Sequence, residues 1–255
     1  MTEKTHARLV TDQFGSRAAA YIASSVHAQG EDLDALEAVV AGQSGAQLLD
    51  LGCGGGHVSF RVAPHVAQVT AYDLSAQMLG AVTKAAAERG LTNVVTHLGT
   101  VERLPFGDGS FDFVFSRYSA HHWHDFAAAL SESRRVLKDS GRAVFMDAVS
   151  PGPALLDTYL QAIELLRDPS HVRDYSIPEW IRSITSAGFL LEKVVRRRVR
   201  LEFAAWIARM RPPEVRVQAI RSLQKEMSSD VAKHFTVEAD GSFMLDTMSL
   251  EAVAA

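Results

Sequence analysis

Two clusters in this 255-residue chain have residue types and spacings that can do chemistry. The first is Asp50-Leu51-Gly52-Cys53-Gly54-Gly55-Gly56, with a further acid, Asp73, about twenty residues on. Glycines let a backbone approach a ligand closely and take positive φ. An acid at that later position can accept hydrogen bonds from two ribose hydroxyls. The dinucleotide fingerprint G-x-G-x-x-G fails, because His57 and Ser59 stand where its third glycine would be. No G-x-x-x-x-G-K-[ST] run is present either. Asp50 narrows the ligand further: it would repel a pyrophosphate, whereas an ammonium and a sulfonium would suit it.

The second cluster is His121-His122-Trp123-His124. Three histidines in four residues cannot all point one way on a regular element, and no carboxylate–histidine helix spacing accompanies them, so no metal site is expected. A loop lining a substrate pocket is the functional reading, with His122 as candidate base. A solvated polar loop is the alternative. Cys53 has no base beside it in sequence and reads as a small packing residue. In Arg196-Arg197-Arg198-Val199-Arg200 only alternate residues share a strand face. A charged edge strand that resists aggregation is the first reading, and contact with an anionic substrate the second.

The elements that position these clusters follow from hydrophobic periodicity. Gln47–Leu51 is a short apolar strand, the glycines are its turn, and a helix follows to Ala63. Residues 66–72 form a second strand that ends at Asp73. Ser75 is placed as an N-cap, and Met78, Leu79, Val82 and Ala86 repeat at helical spacing until Gly90. Strands follow at Val94–Leu98, Phe111–Phe115 and Arg142–Val149. Between the last two lies a helical face of Phe126, Leu130, Ser133 and Leu137. Strands alternating with helices over residues 47–149 imply a parallel sheet with helices on both faces. Residues 12–40 read as helical with a break at Gly30. Beyond residue 150 the pattern predicts helices at 154–167 and 178–187, a long strand at 189–201, helical segments through about Phe235, and a last strand within Thr236–Thr247.

A hydrophobic fraction of 47% and a charged fraction of 22% fit a globular chain with a sizeable core. The net charge of -4 supplies no basic field for nucleic acid. Met1–Arg8 mixes charges without the apolar run of a signal peptide, and no stretch is apolar enough to span a bilayer. With one cysteine, no intrachain disulfide forms, so a cytoplasmic location is expected.

The motifs, taken in order, resemble those of class I S-adenosyl-L-methionine-dependent methyltransferases. Leu48–Gly56 is similar to the first motif of that family and Tyr72-Asp73-Leu74-Ser75 with Met78-Leu79 to the second. Gly99–Glu102, Leu104-Pro105-Phe106 and Ser110-Phe111-Asp112 resemble the third. Phe115-Ser116 through His121-His122-Trp123, with Glu132, Arg135-Val136-Leu137 and Gly141, completes the pattern. The resemblance covers about residues 45–150, and the nearest subgroup is that of the ubiquinone/menaquinone C-methyltransferases.

The resemblance implies an α/β fold, Rossmann-like and doubly wound, with a mostly parallel seven-stranded sheet, helices on both faces and a helical cap. Residues 1–255 are then one methyltransferase domain: cap helices over 1–44, a cofactor-binding core over 45–150, and a sheet end with a helical insertion over 151–255. Gly52, Gly54 and Gly56, with Cys53 among them, would pack beside the methionine part of S-adenosylmethionine, and Asp50 near its polar groups. Asp73 would bind the ribose. Leu74 and Met78 would flank the adenine, Thr100 and Val101 would edge it, and Ser116 would lie below. Tyr21, on a helix that in this family often folds over the cofactor, would add a contact or pack in the core. Ser116-Arg117-Tyr118-Ser119 stands where amino-group nucleic-acid methyltransferases carry N-P-P-[YF]. One cysteine is too few for arsenic methylation, and no carboxylate set suits a metal-dependent catechol mechanism. The expected partner is a small organic acceptor, methylated on carbon or oxygen by direct displacement, with Trp180, Phe203, Trp206 and Met210 near an apolar lid. Two rivals stand beside this: a non-catalytic S-adenosylmethionine-binding regulator or partner subunit, and an NAD-dependent dehydrogenase.

Overall fold

The computed structural model describes residues 5–15 and 30–255. A seven-stranded sheet runs in the order β3-β2-β1-β4-β5-β7-β6. Its strands are β1 (Gln47–Leu51), β2 (Gln68–Asp73), β3 (Val94–Leu98), β4 (Phe111–Arg117), β5 (Leu137–Ala148), β6 (Phe189–Leu201) and β7 (Phe243–Ala254). β1 to β5 pair in parallel, while β7 is antiparallel to both β5 and β6. The order reverses between β1 and β4. At that switch point a doubly wound sheet opens a crevice beyond the carboxyl ends of its strands.

Ten α-helices among the described residues surround the sheet. They are α1 (His6–Gly15), α2 (Glu31–Val40), α3 (His57–Val62), α4 (Ala76–Glu88), α5 (Phe126–Val136), α6 (Ala154–Arg167), α7 (Ile177–Ser186), α8 (Phe203–Met210), α9 (Glu214–Glu226) and α10 (Ser229–Phe235). Alternation along the strands sends side chains to two cores. Leu49, Val114 and Phe145 meet Leu130 of α5 and Trp180 of α7 on one face. Leu48, Phe115 and Val144 meet Leu36 of α2 and Val58 of α3 on the other. A third core joins α6, α8, α9 and α10 to the ends of β6 and β7 through Leu160, Trp206, Ile220, Phe235 and Phe243. These C-terminal helices therefore cap the sheet at the end where the crevice opens.

Several boundaries move from the periodicity reading. Leu137 begins β5 rather than ending α5, because it pairs with Phe111 before the register slips and Phe113 meets Arg142. Gly141 lies inside that irregular stretch, where an added Cβ would press on the Leu137 side chain and the Asp112 carbonyl oxygen. The last strand follows the Asp240-Gly241 turn instead of flanking it and runs to Ala254, paired along its length between β5 and β6. Helix α1 begins at His6, earlier than position 12. Tyr21 and the rest of 16–29 lie outside the described residues. β6 is an edge strand whose charges are paired across to its neighbours: Arg198 Nε is 3.0 Å from Asp246, and Arg200 Nε donates to Glu238 at 2.7 Å.

Phe145 sits mid-sheet with no exposure. Phe145→Ala is expected to destabilise the protein by about 3–5 kcal/mol, read as a lower denaturant midpoint at unchanged slope.

Candidate active site

The glycine turn is built by the main chain. Gly52 and Cys53 both donate their N–H to the Tyr72 carbonyl, at 2.8 and 3.0 Å, which folds the end of β1 over the end of β2. Gly52 has φ 65°, and a Cβ there would overlap Ser119 Oγ. Ser119 in turn accepts from Trp123 Nε1 at 3.1 Å, so the turn after β1 is locked against the loop after β4. Gly54 has φ 49° and is open: nothing lies within 4 Å of a Cβ built on it. Both conformations favour glycine, but for opposite spatial reasons. Gly56 is the N-cap of α3 and does not line the cavity described below.

Asp73 closes the turn from the other side. Its Oδ2 accepts from Gly54 N at 2.9 Å and its Oδ1 from Ser75 N at 2.8 Å. A carboxylate accepts about four hydrogen bonds, so capacity remains for a ligand hydroxyl. Burial raises the Asp73 pKa, against the backbone bonds from Ser75 and Gly54. Asp50 is buried, and its Oδ2 accepts from Ser59 N at 3.1 Å and Ser59 Oγ at 2.6 Å, pinning α3 to β1. Burial outweighs those bonds and pushes Asp50 up to about 7. The Cys53 thiol is also pushed up, by burial and then by Asp73 and Asp50, which leaves it an inert packing group.

One cavity of about 930 Å³ begins at this turn and continues beneath the C-terminal helices. That is the upper part of the range for small-molecule sites. Asp50, Gly52, Cys53, Gly54, Asp73, Leu74, Met78, Thr100 and Val101 line its first half. Met78 is set in the first turn of α4, whose N-cap Ser75 accepts from Met78 N. Tyr72 Oη donates to the Thr100 carbonyl at 3.0 Å, holding the adjacent loop. Ser116 is buried in β4 away from the lining, and its Oγ has no hydrogen-bond partner among the described residues.

The far half of the cavity is lined by groups that motif spacing did not single out, Glu164, Arg167, Asp168 and Asp174, together with Trp206 of the expected lid, and Asp147 lies buried just behind the lining. Tyr118, at φ 52°, donates its N–H to the Met146 carbonyl and swings the chain out of β4 into the histidine turn. His121 Nδ1 lies 2.6 Å from Asp147 Oδ1. Burial works against the imidazolium, but the Asp147 charge and hydrogen bond win, and His121 is raised to about 9. His122, the candidate base by sequence, sits differently. Its Nδ1 donates to the Ser170 carbonyl at 3.0 Å, and burial followed by the charge of His121 pushes it down to about 4. The turn thus carries one charged and one neutral histidine at neutral pH. Asp147 had a signal in the sequence: an acid near the end of a strand, as Asp73 is. Among the described residues no group of three or more His, Cys, Asp or Glu is arranged to hold a metal ion. None of the described helices is long and apolar enough to cross a membrane.

The first half of the cavity fits S-adenosylmethionine. Gly54 leaves room for a ligand against the backbone, Asp73 offers two acceptors, Leu74 and Met78 give apolar walls, and the acids suit a cation. Residues 49–145 match the family described as a methyltransferase domain. The chain is 47% identical over 197 residues to the uncharacterized protein YafE of Escherichia coli, covering 77% of this chain and 95% of that one. It is 32% identical over 224 residues to the uncharacterized methyltransferase YcgJ of Bacillus subtilis, covering 88% of each. The crystal structure of YcgJ superposes with a TM-score of 0.84 at 29% identity, over 88% of this chain and 98% of that one. A demethylmenaquinone methyltransferase of Chlorobaculum parvum is 33% identical over 48% of this chain and 49% of its own. The chain belongs to the class I S-adenosylmethionine-dependent methyltransferases, and the dinucleotide alternative falls with that membership.

The raised Asp50 has a signed consequence. A carboxyl whose folded pKa exceeds its unfolded value stabilises the fold below the unfolded pKa, and that contribution fades as pH rises through the folded one. Asp50→Asn should therefore flatten the loss of stability between about pH 4 and 7, measured as denaturant midpoints of the unliganded protein across that window. A decline as steep as in the wild type would show that Asp50 does not titrate there.

Proposed function

We propose that this methyltransferase acts on a small organic acceptor, at carbon or oxygen, by direct displacement. The observation that carries the reading is one continuous cavity among the described residues: the glycine turn and Asp73 stand at one end, His121 and Trp206 at the other. Bound S-adenosylmethionine supplies a methyl group made electrophilic by its positive sulfur. The chain's residues then have four tasks. Asp73 holds the ribose hydroxyls, and Leu74, Met78, Thr100 and Val101 bound the adenine. Gly54 lets the methionine part lie close to the backbone, beside Asp50. The buried side chains of α6 and α8 exclude water and orient the acceptor, which is how alignment lowers a displacement barrier.

No side chain is required as a nucleophile, and Cys53 is unsuited to that role. Incubation with S-adenosylmethionine carrying a methyl group made chiral by hydrogen isotopes should yield product of inverted configuration; retention would require a covalent enzyme intermediate and contradict direct displacement. Trp206 lines the far half, and Trp206→Ala should raise the acceptor KM severalfold while leaving the affinity for S-adenosylhomocysteine unchanged. A changed cofactor affinity with an unchanged acceptor KM would move Trp206 out of the acceptor site.

A further inference from the structure

The far half of the cavity contains a buried set of titratable groups that binding the cofactor does not use. Its centre is a pair made by topology. β4 and β5 are parallel neighbours, and Arg117 pairs with Met146. The turn leaving β4, Ala120–His122, therefore passes over the residue after Met146, which is Asp147. Asp147 is 1% exposed and held from three directions. Its Oδ1 accepts from Ala148 N at 2.8 Å, its Oδ2 from His121 N at 3.2 Å, and its Oδ1 also meets His121 Nδ1 at 2.6 Å. A separation that short is typical of a charge-assisted bond, with the proton on the ring and the charge on the carboxylate. The arrangement leaves His121 Nε2 as the other ring nitrogen, with no hydrogen-bond partner among the described residues, on a side chain that lines the cavity.

The surroundings favour the charged ring. His122 and His171 lie with ring centroids 4.1 and 5.9 Å from His121, and burial together with the charge on His121 keeps both neutral. Glu164 adds negative field and is itself paired to Arg167 at 2.9 Å, whereas burial pushes Asp174 up to about 8 and leaves it mostly neutral at neutral pH. The apolar walls nearby, including Met146, Trp206 and Met248, exclude water that would screen the charge.

We propose that His121, backed by Asp147, is an oxyanion site for the methyl acceptor, and that the acceptor is a weakly acidic hydroxyl compound of phenol or enol type that reacts as its anion. This rests on the methyltransferase reading above and names the acceptor class for it. On binding, the acceptor's O–H bond breaks and its proton leaves to bulk water. The oxygen keeps the electron pair and accepts a hydrogen bond from His121 Nε2–H. That pair, on oxygen or on the conjugate enolate carbon, forms the bond to the methyl carbon while the carbon–sulfur pair remains with sulfur. His121 keeps its proton throughout, and Asp147 keeps its charge. An amine needs no such site, and an ether cannot use it.

The test uses 4-nitrophenol, whose anion absorbs visibly, with its methyl ether 4-nitroanisole and with 4-nitrobenzoate as controls. All are bound to protein saturated with S-adenosylhomocysteine, at a pH below the phenol's own pKa. The expected result is phenolate absorbance in the complex and affinity about tenfold or more above that of the ether, the worth of a charge-assisted bond. His121→Asn keeps an amide donor for Asp147 but removes Nε2, and should abolish the phenolate signal. Asp147→Asn keeps the ring but lowers its basicity, and should weaken the signal. A phenol bound no better than its ether, bound in neutral form, or ionised equally well by His121→Asn overturns the proposal. Tighter binding of the benzoate than of the phenol overturns the acceptor class. Affinity for S-adenosylhomocysteine, measured in the same samples, separates the two readings. Its absence in wild type defeats the methyltransferase reading, whereas its presence without phenolate defeats this one alone.

Discussion

The Asp73 carboxylate is the interaction on which the rest of the site depends. It accepts one N–H from the turn after β1 and one from the start of α4, and so joins two crossovers at the sheet's switch point. Gly54 must take a left-handed φ to present its N–H there, and the same conformation leaves its outer face bare. The acid that shapes the turn is therefore also the acid that we propose meets the ribose. Gly52 does the complementary work, since its missing side chain is the space that Ser119 fills. Through Ser119 and Trp123 the cofactor half is coupled to the histidine turn that begins the acceptor half.

The two halves are electrostatically distinct. Near the glycine turn, Asp50 is buried and Asp73 partly so, neither hydrogen-bonded to a cationic side chain among the described residues, and desolvation raises both. Acids that are costly to ionise when the cavity is empty are suited to a ligand that brings its own positive charge. In the far half two acids are paired with cations of the protein, Asp147 with His121 and Glu164 with Arg167, while burial pushes the Asp174 carboxyl up to about 8. There the polar atoms are orientated in advance, and reorganisation at the moment of transfer is small. On the proposed reading, one end of the cavity receives a cation and the other holds an anion.

Much of the first half was legible in the sequence because its logic is local. A strand, a glycine turn and a helix are contiguous, and Asp73 ends the next strand. The second half is assembled from segments far apart in the chain. Which histidine of His121-His122 would face a carboxylate depended on the φ of Tyr118 and on the register of β5 against β4, neither of which periodicity reveals. Leu137 read as the end of a helix because it continues the helical spacing, yet pairing with Phe111 made the same residue a strand start. The roles of Glu164, Asp168 and Asp174 were invisible for another reason: they are acids on and after a helix whose function is set only by the cap it forms. Edge-strand charge was readable for Arg198 and Arg200, but Arg197, one residue away, turns inward and donates to Ser249 Oγ at 2.9 Å.

The most direct test of the central claim is calorimetric binding of S-adenosylmethionine and S-adenosylhomocysteine to wild type and to Asp73→Ala. Micromolar binding of both by wild type, weakened about tenfold or more by the substitution, is the predicted result, in line with the loss of charge-assisted bonds to the ribose. Equal binding by the variant would remove Asp73 from the site, and no binding by wild type would contradict the account at its base.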